Sequence, residues 1–157
     1  MRRIAGLGAA ALMVAAGILV AGPVGTASAT SADCSGGANG FTDIPDTLTG
    51  TAVGAGSVSN AFGESAAYYQ ETGTVGGPQM GWGYLTSHMG EYTIARVWMD
   101  VSNDGGATWI QCGPFSRYLS GTLTTAAYPT SAAPGRRFRT CASITGTDGN
   151  MDCLGWW

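Results

Sequence analysis

Glu64, Glu71, Glu91 and Asp100 are the carboxylates of this chain best suited to acid–base work. Two of them facing each other across a sugar would hydrolyse a glycosidic bond. Their positions along the chain put no two at the separation which that chemistry needs. His88 is the only histidine, and histidine is the side chain that exchanges protons near neutral pH. Its neighbour Ser87 is the natural nucleophile for such a base, but adjacent strand residues point to opposite faces. Gly63-Glu64-Ser65-Ala66-Ala67 lacks the closing glycine of a nucleophile elbow. RNA cleavage would need a glutamate, a histidine and an arginine to converge. Glu91 and Arg96 instead follow His88 in one turn-like stretch. A small hydrolase working through these carboxylates is therefore the second reading, and a non-catalytic binding protein is the first.

Cys34, Cys112, Cys141 and Cys153 are even in number, and the chain begins like an exported one, so they read as two disulfides. Of the three possible pairings, a local Cys141–Cys153 loop with Cys34–Cys112 tying the N-terminal part to the body is preferred. No Cys-x-x-Cys occurs and only one histidine is present, which argues against zinc. Asp100-x-Ser102-x-Asp104-Gly105 has alternating oxygen ligands, but Gln111 stands where a calcium loop needs its closing glutamate. Asp148-Gly149-Asn150-Met151-Asp152 likewise has no closing carboxylate. Neither a metal nor an organic cofactor is expected.

Binding is better served by other residues. Arg136, Arg137 and Arg139 form a basic spot in an acidic chain of net charge −3. Arginine suits interface ion pairs and stacking. Tyr92, Arg96 and Trp98 sit together on one strand parity, and Trp157 closes the chain in a Trp156-Trp157 doublet. Aromatic and arginine side chains are the usual anchors of protein interfaces. These seven, Tyr92, Arg96, Trp98, Arg136, Arg137, Arg139 and Trp157, are the candidates for contact with a partner. The expected partner is another secreted or cell-surface protein, which makes the chain an adaptor; an enzyme inhibitor or a glycan binder are alternatives. Low positive charge excludes nucleic acid held by phosphate contacts. No membrane role is expected once the leader is removed.

The elements that must position these groups are short and extended. Met1-Arg2-Arg3, the uncharged run Ile4 to Ala21 and Ala27-Ser28-Ala29 have the layout of a secretory signal peptide, cleaved after Ala29. Residues 30–64 are rich in Gly, Ser, Thr and Ala and read as an N-terminal arm, with one strand-like stretch from Asp46 to Val53. Such an arm could add a strand to another protein's sheet. The β-domain is expected over 65–157. Alternation marks strands near 66–75, 79–86, 92–101, 107–112, 117–127 and 136–144, with a last one in 151–157. Gly113-Pro114 is expected to end the strand from Ala107. No segment holds a helical period. The fold class is all-β, a small disulfide-bonded sandwich or barrel of about seven or eight antiparallel strands.

Ser102-Asn103-Asp104-Gly105-Gly106-Ala107-Thr108-Trp109 resembles the Asp-box, Ser/Thr-x-Asp-x-Gly-x-Thr-Trp/Phe, at every defined position. That resemblance implies a structural hairpin carried by Ser102, Asp104, Gly106, Thr108 and Trp109, with the tryptophan packed beneath it. In the families that carry the box it lies away from the active site, so it implies no sialidase activity. The ending, Phe138-Arg139-Thr140-Cys141 and Cys153-Leu154-Gly155-Trp156-Trp157, resembles small secreted actinobacterial proteins and brings no activity with it.

Overall fold

A computed structural model describes residues 30–90, 92–118, 120–145 and 151–157. The proposed signal peptide, Glu91 and residues 148–150 of the second acidic stretch lie outside them. Among the described residues, nine strands form two antiparallel sheets. The first sheet runs β1 (Thr51–Ser59), β2 (Ser65–Thr74), β3 (Gln79–His88) and β6 (Gly121–Thr124), and β7 (Tyr128–Pro129) also pairs with β3. The second runs β5 (Ile110–Tyr118), β4 (Ile94–Ser102), β8 (Arg137–Ile144) and β9 (Met151–Cys153). The expected all-β sandwich is what forms.

Alternation places the core. Ala95, Val97, Met99 and Val101 of β4 and Phe138, Thr140, Ala142 and Ile144 of β8 are buried together. Ala95, Val97, Ala142 and Ile144 meet Tyr68 and Leu85 of the first sheet in one cluster, while Met99, Val101 and Phe138 pack with Phe41 in another. Gln70 spans the gap, its side-chain carbonyl accepting a hydrogen bond from the Thr140 backbone amide at 3.1 Å.

β3 departs from the usual rule of large residues inward. Its inward parity holds Gly81, Gly83 and Leu85, while Met80, Trp82 and Tyr84 face away from the second sheet. A Cβ on Gly81 would stand 2.5 Å from the Phe138 ring, and one on Gly83 2.8 Å from the Thr140 methyl. The two sheets therefore approach most closely where β3 has no side chains. Gly81→Ala is expected to cost about 1–3 kcal/mol by overpacking, read as a lower midpoint in urea at unchanged slope.

The outward indole of Trp82 is nonetheless buried, because Ile44 and Leu48 pack over it. Glu71 fastens that cover: its carboxylate accepts from Trp82 Nε1 at 3.1 Å and from the Gly50 amide at 2.9 Å. Residues placed by sequence in the arm are thus part of the body. Thr51–Ser59 pairs with Ser65–Thr72 of β2, so the boundary at 64/65 falls inside a hairpin. The strand that such an arm could have added to another protein's sheet is paired within its own. Gly56 leaves room for Tyr68, whose hydroxyl passes beneath β1 and donates to Asp152 at 2.7 Å.

β5 also differs from expectation. It continues through Gly113-Pro114 to Tyr118. The bond between these two residues is cis, Gly113 has φ 113°, and the β4 register slips between Val97 and Met99 opposite it. Proline is tolerated at a bulge on an edge strand, where no ladder donor is lost. The disulfides are Cys34–Cys112 and Cys141–Cys153. The first holds the N-terminal segment to β5, and the second joins β8 to β9.

Candidate functional site

The β4–β5 turn frames one end of the sandwich. Ser102 is buried, and its hydroxyl donates to Asp104 Oδ1 at 2.7 Å while accepting from the Gly106 amide at 2.8 Å. Asp104 accepts from the Thr108 amide at 2.9 Å and from the Thr108 hydroxyl at 2.6 Å. Gly105 and Gly106 both have positive φ, the conformation that lets the backbone fold around the carboxylate. The Thr108 hydroxyl, the Thr108 amide and Ser102 hold the Asp104 carboxyl well below the usual carboxylate range. A carboxylate with a lowered folded pKa adds stability above its unfolded pKa and loses it as pH falls through the folded value. Asp104→Asn should therefore lower the melting temperature at neutral pH and by progressively less in strong acid, followed by thermal scans across that range.

The turn is joined to the loop before β8. The Gly105 amide donates to the Gly135 carbonyl at 2.9 Å. Arg136 donates through Nε to Asn103 Oδ1 at 2.6 Å and through Nη1 to the Pro129 carbonyl at 2.8 Å, and lies over the Tyr128 ring. Both partners are neutral, so Arg136 keeps its full charge.

Beside it, Arg139 pairs with Asp100 across the β4–β8 register, Nε to Oδ2 at 2.8 Å. Its guanidinium lies 5.2 Å from the Trp109 ring centre and 4.5 Å from that of Trp156. The two indoles stand 6.1 Å apart. Trp109 is 49% exposed, so it does not pack beneath the hairpin as expected. It forms one side of a tryptophan–arginine–tryptophan stack on the outer face. Asp100 is only 1% exposed, and its Oδ1 has no partner among the described residues. Burial raises its pKa, and the Arg139 hydrogen bond and charge oppose that rise.

The C-terminal tail completes the face. Trp157 exchanges both backbone hydrogen bonds with Phe138, at 3.0 and 3.1 Å. Its ring packs 4.7 Å from that of Phe138 and stays 44% exposed. Between this tail and the loop Ser131–Pro134 lies an open cleft of about 400 Å³. Arg136, Arg137, Phe138, Trp156 and Trp157 form the rest of its lining.

Four of the seven expected contact residues, Arg136, Arg137, Arg139 and Trp157, therefore share one surface. The others do not join them. Trp98 is buried, with Gly113 packed against its Cβ, and offers no free ring. Tyr92 and Arg96 lie toward the far end of β4, whose nine residues span about 30 Å. Tyr92 is 91% exposed there, at the same end of the sandwich as Phe62 and Tyr118. Trp109, Trp156 and Asp100 were not marked as contact residues. The Trp156-Trp157 doublet was the available signal for Trp156, since neighbours on an extended tail face opposite ways.

The three described carboxylates of the hydrolase reading are dispersed. Glu64 ties loops together at the far end, accepting from Asn60 Nδ2 and the Gly90 amide, each at 2.6 Å, and from the Thr93 hydroxyl. Glu71 lies under the N-terminal cover, and Asp100 under the arginine stack. His88 is exposed at the end of β3. Among the described residues no three His, Cys, Asp or Glu side chains are grouped to hold a metal ion. No helix among them is long and apolar enough to cross a membrane. No family model matches the chain, and no curated protein or solved structure matches it either.

Proposed function

We propose that this chain is a secreted, non-catalytic binding protein that engages another extracellular protein through the arginine–tryptophan face. The observation that carries the reading is the grouping of Trp156, Trp157, Arg136 and Arg137 around one cleft, with Trp109 stacked beside Trp156, on a frame held by backbone pairing. Exposed indoles beside arginine make the strongest protein hot spots. A rigid frame lowers the ordering cost of binding. Two disulfides suit a protein that works in an oxidising, extracellular setting. The turn from Ser102 to Trp109, similar to an Asp-box, serves as the scaffold of this face.

The experiment is affinity capture by the tagged mature protein from its own culture supernatant, read by mass spectrometry. The unmodified protein and a Tyr92→Ser variant are expected to capture the same stoichiometric partner. Joint Trp109→Ala and Trp157→Ala substitution is expected to weaken that capture by about 30-fold or more, the loss of a hot spot. Capture that survives the double substitution contradicts the reading. A glycan retained in place of a protein would move the assignment to sugar stacking on the same indoles. Turnover of a polysaccharide or RNA would make the chain an enzyme.

A further inference from the structure

We propose that the cleft between Ser131–Pro134 and Trp156–Trp157 receives an acidic peptide segment, with a carboxylate paired to Arg137 and a neighbouring apolar side chain against the indoles. This rests on the reading of the face as a protein-binding surface and names what the partner presents there.

Charge is the first argument. Past residue 29 the chain has five arginines against ten carboxylates, yet three of the five lie on this face. Arg139 is neutralised by Asp100. Arg136 is held by neutral acceptors and keeps its charge. Arg137 is exposed on β8, and its side chain makes no hydrogen bond, ion pair or ring contact among the described residues. The cleft thus holds one fixed cation and one free guanidinium in a molecule that is acidic elsewhere. Asp104 stands in the adjoining turn, and both its oxygens are occupied by Ser102 and Thr108. An approaching carboxylate meets Arg137 with its donors unspent, and a guanidinium binds a carboxylate through two parallel hydrogen bonds.

The lining chooses between anions. Ala132, Ala133 and Pro134 offer apolar surface without side-chain hydrogen-bonding groups, and Ser131 is the one side-chain hydroxyl. A uronic acid polymer carries several hydroxyls on every ring, and those that face Ala132, Ala133 and Pro134 would lose water without gaining a side-chain partner. A peptide with one carboxylate beside a leucine or phenylalanine needs one charged contact and an apolar wall. Those are the groups the cleft has.

The test uses the whole mature protein, labelled with nitrogen-15, and follows the indole Nε1–H resonances of Trp156 and Trp157. The probes are acetyl-Glu-Leu-Glu-Phe-amide, its Gln-Leu-Gln-Phe counterpart, and trigalacturonic acid. The acidic peptide is expected to shift both indoles saturably and to bind about tenfold or more tighter than the neutral one. Arg137→Gln should erase that preference while leaving the rest of the spectrum in place, and Arg137→Glu should reverse it. Equal affinity of the two peptides overturns the proposal, as does a preference that survives Arg137→Gln. Trigalacturonic acid binding as well as the acidic peptide overturns the peptide assignment, and the absence of any saturable shift overturns the site. Two results separate this inference from the broader reading. A partner captured through Trp109 and Trp157 but indifferent to Arg137→Gln leaves the face standing and removes the carboxylate. Acidic-peptide binding without any captured protein leaves the cleft chemistry standing and removes the adaptor role.

Discussion

Arg139→Ala is expected to destabilise the fold by about 3–5 kcal/mol at neutral pH, because it strands a buried carboxylate. Asp100 is almost fully buried, and the Arg139 guanidinium is the one partner of its side chain among the described residues. Burial already raises the Asp100 pKa, and Arg139 restrains that rise through a hydrogen bond and its charge. With Arg139 gone the folded pKa climbs further. A carboxyl whose folded pKa is raised contributes stability that is complete below its unfolded pKa, about 4, and is lost as pH rises through the folded value. The deficit of the variant should therefore be largest at neutral pH and shrink toward acid, where Asp100 is protonated with or without its partner. What persists in acid is lost packing, since the arginine side chain also fills the gap between Trp109 and Trp156. Urea unfolding at neutral and acid pH reads both parts. Adding Asp100→Asn to the variant should recover much of the neutral-pH loss. A deficit that is constant with pH, or that Asp100→Asn leaves untouched, would mean that the pair is not what stabilises this face.

Removing the Cys34–Cys112 bridge by paired alanines is expected to cost about 4.5 kcal/mol in the chain-entropy model. The bridge closes a separation of 78 residues. Cys141–Cys153 closes only 12, which corresponds to about 3 kcal/mol on the same scale. Contacts reinforce the ranking. Both Cys34 and Cys112 are fully buried and belong to the cluster of Phe41, Met99, Val101 and Phe138. Losing the bridge also frees the start of the segment whose Ile44 and Leu48 cover Trp82. Domains of this size are stable by about 5–15 kcal/mol in total, so the first removal should take a large part of the margin. Denaturant midpoints of the two paired-alanine proteins make the comparison. A smaller loss for Cys34–Cys112 than for Cys141–Cys153 would contradict the N-terminal segment being an integral part of the body.

The parts of the fold that alternate strictly were legible in sequence, and those shaped by long-range contact were not. β4 and β8 read correctly because every second residue is buried and all of these but Thr140 are apolar. β1 was legible only over Thr51–Val53, the end of the strand-like stretch from Asp46, because glycine and alanine have weak strand preference; the rest becomes a strand because β2 lies beside it. The direction of β3 was also hidden. Its large residues face outward only because residues 41–50 come back to cover them, and its glycines admit Phe138 and Thr140 from the opposite sheet. Gly113-Pro114 signals a strand end in isolation, while a bulge on an edge strand absorbs it.

The proposed binding face was half legible for a similar reason. Arg136, Arg137 and Arg139 are close in sequence and so are close in space. Their neighbours Trp109 and Trp156 come from the far side of the β4–β5 turn and from the C-terminal tail. Asp100 joins them only through the β4–β8 register. Tyr92 and Trp98 matched the expected composition but were assigned by strand parity alone. One proved to be buried and the other lies at the opposite end of the strand.

The most direct test of the central claim is a hydrogen-exchange footprint of the mature protein with its captured partner bound. Protection is predicted in the backbone amides of residues 131–139 and 154–157 and in the turn from Ser102 to Trp109. Exchange at the opposite loops, 60–64 and 89–93, should be unchanged. Protection confined to those opposite loops, where Phe62 and Tyr92 stand exposed, would contradict the account and move the binding site to the other end of the sandwich.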